Sequence, residues 1–290
     1  MKNYVLMTDS NTEIPWEFAE AHNIPVVRMP YSIGTQEYFY DLGKETDFKT
    51  FFDNMRQGAV PKTAILPPQF YVELWTPMLQ AGQDILFICF SSKLSAAFSA
   101  IQMARDEVLQ DFPDRKITLV DTKSISMGAG LLVMYAVEMY DRGAAADEIV
   151  AFLEEKIPKV QHWFTVDNLI YLKRTGRISS TAATMGTMLN VKPILSVDKE
   201  GALKSVAKAK GRKKAVHYLF DRLEEQVEDP ENQYCVIVQA DCMDEAQALK
   251  KKIEQRFNFK QIILRDIGPV VGSHAGPGSL ALMFMGGERV

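Results

Sequence analysis

Cysteine is scarce in this chain. Three are present, Cys89, Cys235 and Cys242, far apart and without a C-x-x-C pair. That spacing excludes a disulfide framework, gives no zinc motif and fits a reducing, cytoplasmic setting. Long apolar runs are also missing: no segment reaches the ~20 apolar residues of a membrane span. The opening MKNYVLMTDS has neither the apolar stretch nor the cleavage site of a signal peptide. Charge of one sign is absent too. With 33 basic and 37 acidic side chains the net charge is −4, so nothing draws the whole chain towards nucleic acid. The catalytic signatures G-x-x-x-x-G-K-[ST], H-E-x-x-H and G-x-S-x-G do not occur. Gly276-Pro-Gly278-Ser-Leu-Ala281 loosely matches a dinucleotide loop, but that motif needs an acidic residue about 20 positions further on. Only nine residues follow Ala281.

What is present is enough apolar material for a large core, 47% of the chain. Apolar runs alternate with helix-period segments: strands at 4–9, 24–33, 83–92 and 116–122, helices at 13–23, 46–58, 67–82 and 95–112. This alternation predicts a parallel sheet flanked by helices, with functional groups at the carboxyl ends of the strands. Two more helices are expected at 126–142 and 145–156. Beyond Pro158 the pattern changes. Two strand-like runs in 191–210 are joined by Asp198-Lys-Glu-Gly201, a hairpin signal. Helices at 212–228 and 243–257 then alternate with strands at 234–241 and 260–268. The expected organisation is α/β in two domains: 1–157 with a parallel sheet, 158–290 with a mixed sheet, and a ligand cleft between them.

Three hydroxyl-bearing loops fall where such a sheet presents its site: TDSN (8–11), PKTAILPP (61–68) and SSKLS (91–95). Ser95 opens a helix, where its hydroxyl and the free N–H groups form an anion site, although a plain helix cap reads the same way. His274 lies in the glycine-rich stretch V-V-G-S-H-A-G-P-G-S-L-A-L (270–282), read as a loop. A His in such a loop is structural, or catalytic beside an activated serine, or a clamp on a carboxylate in which the imidazolium supplies charge.

The ordered series TDSN, PKT, FSSKLS, VDT, YLKRTGRIS, LNVKPIL, GRKKA and HAGPG resembles the DegV family from Thr8 to Leu282. That family includes the fatty-acid-binding subunits of bacterial fatty acid kinase. The resemblance implies a two-domain DegV-like fold with one long-chain fatty acid in an apolar tunnel. Its carboxylate would be held at the inner end by Thr63, by Ser95 with Ser92 as the near alternative, and by His274. A separate kinase subunit, similar to a dihydroxyacetone kinase, would phosphorylate that carboxylate, so this chain needs neither catalytic residue, cofactor nor metal. Membrane contact would be peripheral at most, during lipid exchange. The chain departs from the family pattern at Ala64-Ile65-Leu66 and Ala96-Ala97, and at Thr175, where glycine is common.

Lys204, Lys208, Lys210, Arg212, Lys213 and Lys214 form a run without an acid among them. A solvated hairpin edge is one reading. The other is a surface for an acidic partner, because positive charge at a helix start is unfavourable without an external anion. Lys173, Arg174 and Arg177 would extend that surface, and the resemblance makes Arg177 a kinase-docking residue. Segments 126–140, 184–189 and 280–285 are candidates for a lipid tunnel or ordinary core. Two rival functions remain: a hydrolase or acyltransferase using Ser92 or Ser95 with His274, and a DegV-like regulator acting through its basic surface.

Overall fold

The computed structural model describes residues 3–178 and 190–289; the candidate tunnel segment 184–189 lies outside them. Four parallel strands form the first sheet: β1 (Tyr4–Asp9), β2 (Val26–Val27), β6 (Asp84–Cys89) and β7 (Ile117–Asp121), in the order β2-β1-β6-β7. Ile85 to Cys89 are buried without exception. A parallel strand covered on both faces reads as such a continuous apolar run. Each large side chain among them contributes about 1.5–3 kcal/mol by burial. The expected strand 24–33 divides instead. Val26-Val27 pairs with β1, while β3 (Pro30–Ile33) turns away to join β4 (Gln36–Phe39) and β5 (Lys62–Thr63) in a small antiparallel sheet.

The second sheet has six strands: β8 (Val160–Thr165), β9 (Val191–Val197), β10 (Leu203–Lys210), β11 (Tyr234–Gln239), β12 (Gln261–Asp266) and β13 (Leu280–Met285). Their order is β10-β9-β8-β13-β11-β12, antiparallel except for the parallel β11–β12 pair. The β9–β10 hairpin turns at Asp198–Gly201, as its sequence signals. Strand β13, read from sequence only as the apolar tail of a loop, is central to this sheet. Its period-2 alternation sends Ala281 and Met283 to one apolar cluster and Leu280, Leu282 and Phe284 to another.

Helices α1 (Trp16–Ala21), α2 (Phe48–Arg56), α3 (Pro68–Gln80) and α4 (Ala97–Asp111) belong to the first half, with α5 (Ser126–Asp141) and α6 (Ala146–Lys156). Helix α3 shows the usual logic: Pro68 stands in its first turn, and Tyr71, Trp75 and Leu79 bury one face at four-residue spacing. Helix α5 is buried nearly all round, because it packs on β1 on one side and on β8, β11 and β13 on the other. Gly128 permits that approach, since a Cβ there would stand 2.0 Å from Nε2 of His162. The residues 157/158, where the sequence suggests a boundary, fall in the turn Ile157–Lys159. One apolar cluster nevertheless runs from the first sheet through α5 to the second.

The remaining helices among the described residues are α7 (Ile170–Arg174), α8 (Arg212–Gln226), α9 (Met243–Arg256) and α10 (Pro269–Ala275). Arg212 corrects one expectation. It does have internal partners: its guanidinium meets Glu245 of α9 at 2.8 Å and Asp167 at 3.6 Å. These acids offset the charge at the start of α8 that the sequence alone left unbalanced. No helix among the described residues is long and apolar enough to cross a membrane.

Candidate functional site

The carboxyl ends of β1 and β6, the strand β5 and the helix α10 surround one largely apolar cavity of about 170 Å³. An engineered apolar cavity of ~150 Å³ takes up a benzene-sized guest, so a space of this volume can admit apolar atoms of a ligand. Phe164, Val238, Met283, Ile125 and Ile267 supply much of the lining. Of the apolar segments considered as tunnel, 280–285 lines the cavity through Leu280, Ala281 and Met283, whereas 126–140 contributes only Ser126.

Thr63, Ser95 and His274 all reach this cavity. Thr63 is held by the β3–β5 ladder, opposite Tyr31. His274 lies not in a loop but in the last turn of α10. Pro269 starts that helix, where its missing N–H costs nothing, and Gly276 ends it. Gly276 has φ +81, and a Cβ on it would stand 2.2 Å from the Tyr171 ring of α7. Both facts demand glycine. Thr63 Oγ1 and His274 Nε2 are hydrogen-bonded at 3.0 Å. Ser95 precedes α4, and its Oγ accepts the Ala97 N–H at 3.2 Å. Its own hydrogen is thereby left for a further acceptor.

Burial, and then the nearby Arg177 guanidinium, push His274 down to about 4. Such a shift favours a neutral imidazole near pH 7, one that supplies no charge of its own. Its Nδ1 is buried with no partner among the described residues. An N–H left unsatisfied there would be costly, which assigns the proton to Nε2, donating to Thr63. The Thr63 hydroxyl is then free to donate into the cavity.

Positive charge comes from Arg177, which sequence reasoning placed only on a docking surface. It lines the same cavity. Its Nε donates to the Leu94 carbonyl at 3.2 Å and Nη1 to that of Thr175, and it has no acidic partner among the described residues. Desolvation lowers its pKa. Thr63, Ser95, His274 and Arg177 are half-buried, and the neighbouring Ala64, Ile65 and Ala96 are exposed. This polar group therefore stands at the rim of the cavity rather than at its inner end.

Ser92 is engaged elsewhere. Its hydroxyl donates to Asp121 at 2.6 Å and its N–H to the same carboxylate at 3.2 Å. Neither Ser92 nor Ser95 is hydrogen-bonded to His274 among the described residues, so no serine–histidine pair is assembled. Lys173 and Arg174 are exposed on α7, with Arg174 stacked over Tyr171 at 5.2 Å. No cluster able to hold a metal ion occurs among the described residues.

Sequence reasoning overlooked a second polar group. Asn11 and Ser126 line the buried wall of the cavity. Behind them Glu13, 1% exposed, accepts from the Ser126 hydroxyl and from the Gly268 N–H at 2.6 Å. Burial raises Glu13 to about 8. The TDSN loop is visible in sequence as a cluster of hydroxyls, but the pairing of Glu13 with Ser126 spans 113 residues.

An apolar cavity with a polar, cationic rim is the kind of space in which small molecules are bound in other proteins. The comparison with known proteins makes the assignment specific. The model of the family described as "Uncharacterised protein, DegV family" matches residues 3–286, and the chain belongs to that family. A DegV domain-containing protein of Clostridium perfringens is 39% identical over 289 residues, covering 100% of this chain and 99% of the relative. The structure of a fatty-acid-binding DegV family protein from Thermus thermophilus superposes with a TM-score of 0.87 at 26% identity, over 98% of this chain and 99% of that one. The fatty acid kinase B3 protein of Streptococcus pneumoniae, loaded with linoleic acid, shares the fold with a TM-score of 0.82 at 20% identity, over 99% and 100% of the two chains.

Proposed function

We propose that this chain binds one long-chain fatty acid in the cavity, with its carboxylate at the rim and its hydrocarbon among the apolar side chains. The observation that carries the reading is the hydrogen-bonded Thr63–His274 pair beside Ser95 and Arg177 at the mouth of an apolar cavity. The Thr63 and Ser95 hydroxyls would donate to the carboxylate. His274 would orient Thr63, and Arg177 would supply the compensating charge. Hydrogen bonds to an ionised acceptor are each worth about 1.5–3 kcal/mol, enough to fix the head group while burial of the chain supplies most of the affinity. The solved Thermus thermophilus relative, described as fatty acid binding, supports this assignment.

A head group at the rim is also a head group within reach of another protein. In this proposal the chain is a non-catalytic subunit that offers the carboxylate to a partner kinase, which brings ATP and transfers the phosphoryl group. The exposed Lys173 and Arg174, with Arg177 beside the head group, would form the cationic side of that contact. Arg212, already paired with two acids, contributes less. The two domains proposed from the sequence, 1–157 and 158–290, would each supply part of the cavity wall.

Mass spectrometry of the purified protein under denaturing conditions tests the binding step. Release of a fatty acid in roughly one-to-one amount is expected, or its uptake by the stripped protein. If no amphiphile is released and none binds on addition, the reading is lost. Acyl phosphate formation on adding ATP and a dihydroxyacetone-kinase-like subunit tests the second step separately.

A further inference from the structure

Asn11 is 4% exposed and lines the cavity, and its Oδ1 has no hydrogen-bond partner among the described residues. Its neighbours are all satisfied. Ser10 Oγ accepts the Met29 N–H at 2.9 Å, Thr12 Oγ1 donates to the Asp9 carbonyl at 2.8 Å, and Asp9 accepts the Asn11 N–H at 2.8 Å. The loop is thus held on every side except where the Asn11 amide meets the cavity. A buried acceptor left unpaired carries a desolvation penalty, which a donor on a ligand would remove.

Ser126 stands on the same cavity, 2% exposed and in the left-handed region at φ +49. A non-glycine residue held there is strained, and the conformation places its hydroxyl against Glu13. The Ser126 hydroxyl donates to one oxygen of Glu13, and the other oxygen accepts the Gly268 N–H. The Ser126 oxygen keeps a lone pair for a further donor. The wall therefore offers the Asn11 amide and the Ser126 oxygen. Arg177, at the rim, is the one fully charged side chain among the described lining residues, which leaves the buried wall polar but uncharged.

We propose that Asn11 and Ser126 form a second polar anchor, for a hydroxyl group carried on the acyl chain of the ligand. A hydroxyl donates and accepts at once. A half-turn of the Asn11 amide exchanges its oxygen and NH2, and a hydroxyl meets either. A second charged group would find no counter-charge on this wall and would bear its full desolvation cost. The preferred ligand is accordingly a hydroxylated long-chain acid, with its carboxylate at the rim and its hydroxyl at Asn11. This inference rests on the fatty-acid reading above.

The test is a competition on stripped protein between octadecanoic acid and a positional series of monohydroxy-octadecanoic acids, with bound lipid quantified by mass spectrometry. Comparing isomers cancels the cost of taking the hydroxyl out of water. One position is expected to be captured at least about fivefold over its isomers, the factor that one net hydrogen bond supplies. Asn11→Leu should abolish that preference while octadecanoic acid still binds, and Ser126→Ala should weaken it. Ser126→Ala alone decides the matter if the leucine variant does not fold. Equal capture of all isomers alongside good binding of octadecanoic acid, or a preference unchanged in these variants, overturns the second anchor and leaves the fatty-acid reading standing. Binding of neither kind of acid overturns both.

Discussion

The rim and the buried wall of this cavity are both polar, and in each, burial favours the neutral form of one titratable group, by shifts in opposite directions. At the rim, burial and Arg177 push a base, His274, down to about 4. On the wall, burial pushes an acid, Glu13, up to about 8. What separates the two regions is a cation: Arg177 stands beside the first, and no charged side chain among the described residues lines the second. Desolvation by itself makes a site neutral, and a neighbouring charge then decides which ligand group belongs there. The two proposals accordingly put an anion at the rim and an uncharged group at the wall.

The largest effect that sharpens this contrast is on the wall. Glu13 has a raised pKa in the fold, about 8 against 4.5. Its stabilising contribution is therefore complete below pH 4.5 and is lost as pH rises through 8. Glu13→Gln keeps a neutral group in place and removes that loss. Urea unfolding at pH 5 and pH 9 should show wild type losing on the order of 4 kcal/mol more than the variant across this interval. Equal losses would mean that Glu13 is already ionised.

At the rim, His274→Ala removes the group that orients Thr63. Fatty-acid affinity should fall about tenfold or more, read by displacement of a fluorescent acid, with overall stability changed much less. Since His274 begins to protonate only as pH falls towards 4, wild-type binding should be flat between pH 5.5 and 7.5. An inflection near 6.5 would restore the charged clamp and erase the contrast. The smallest effect is expected at Ser92→Ala. Its hydroxyl serves Asp121, so affinity should stay within about twofold while stability drops by about 1 kcal/mol, measured in the same two assays.

Much of this arrangement was legible in the sequence, for local reasons. Continuous apolar runs mark the parallel strands, the Asp198–Gly201 turn marks the β9–β10 hairpin, and Thr63, Ser95 and His274 stand in the motifs that carry the family resemblance. What escaped depends on contacts between distant segments. Arg212 finds Glu245 thirty-three positions away. Ser126 finds Glu13 only because α5 packs against the loop after β1. Helix α10 looks like a loop in sequence because glycines at 272 and 276 and a serine at 273 disguise seven helical residues. Arg177 reads as a surface cation, because its motif does not reveal that the backbone carbonyls of Leu94 and Thr175 hold it against the cavity.

The close approach of Gly276 to Tyr171 has a mechanical consequence. Tyr171 belongs to α7, which also bears Lys173 and Arg174, and Gly276 ends the helix that bears His274. A side chain at 276 would therefore wedge two short helices apart, displacing Lys173 and Arg174 on one side and His274 on the other, so this glycine sets the spacing between those cations and the imidazole.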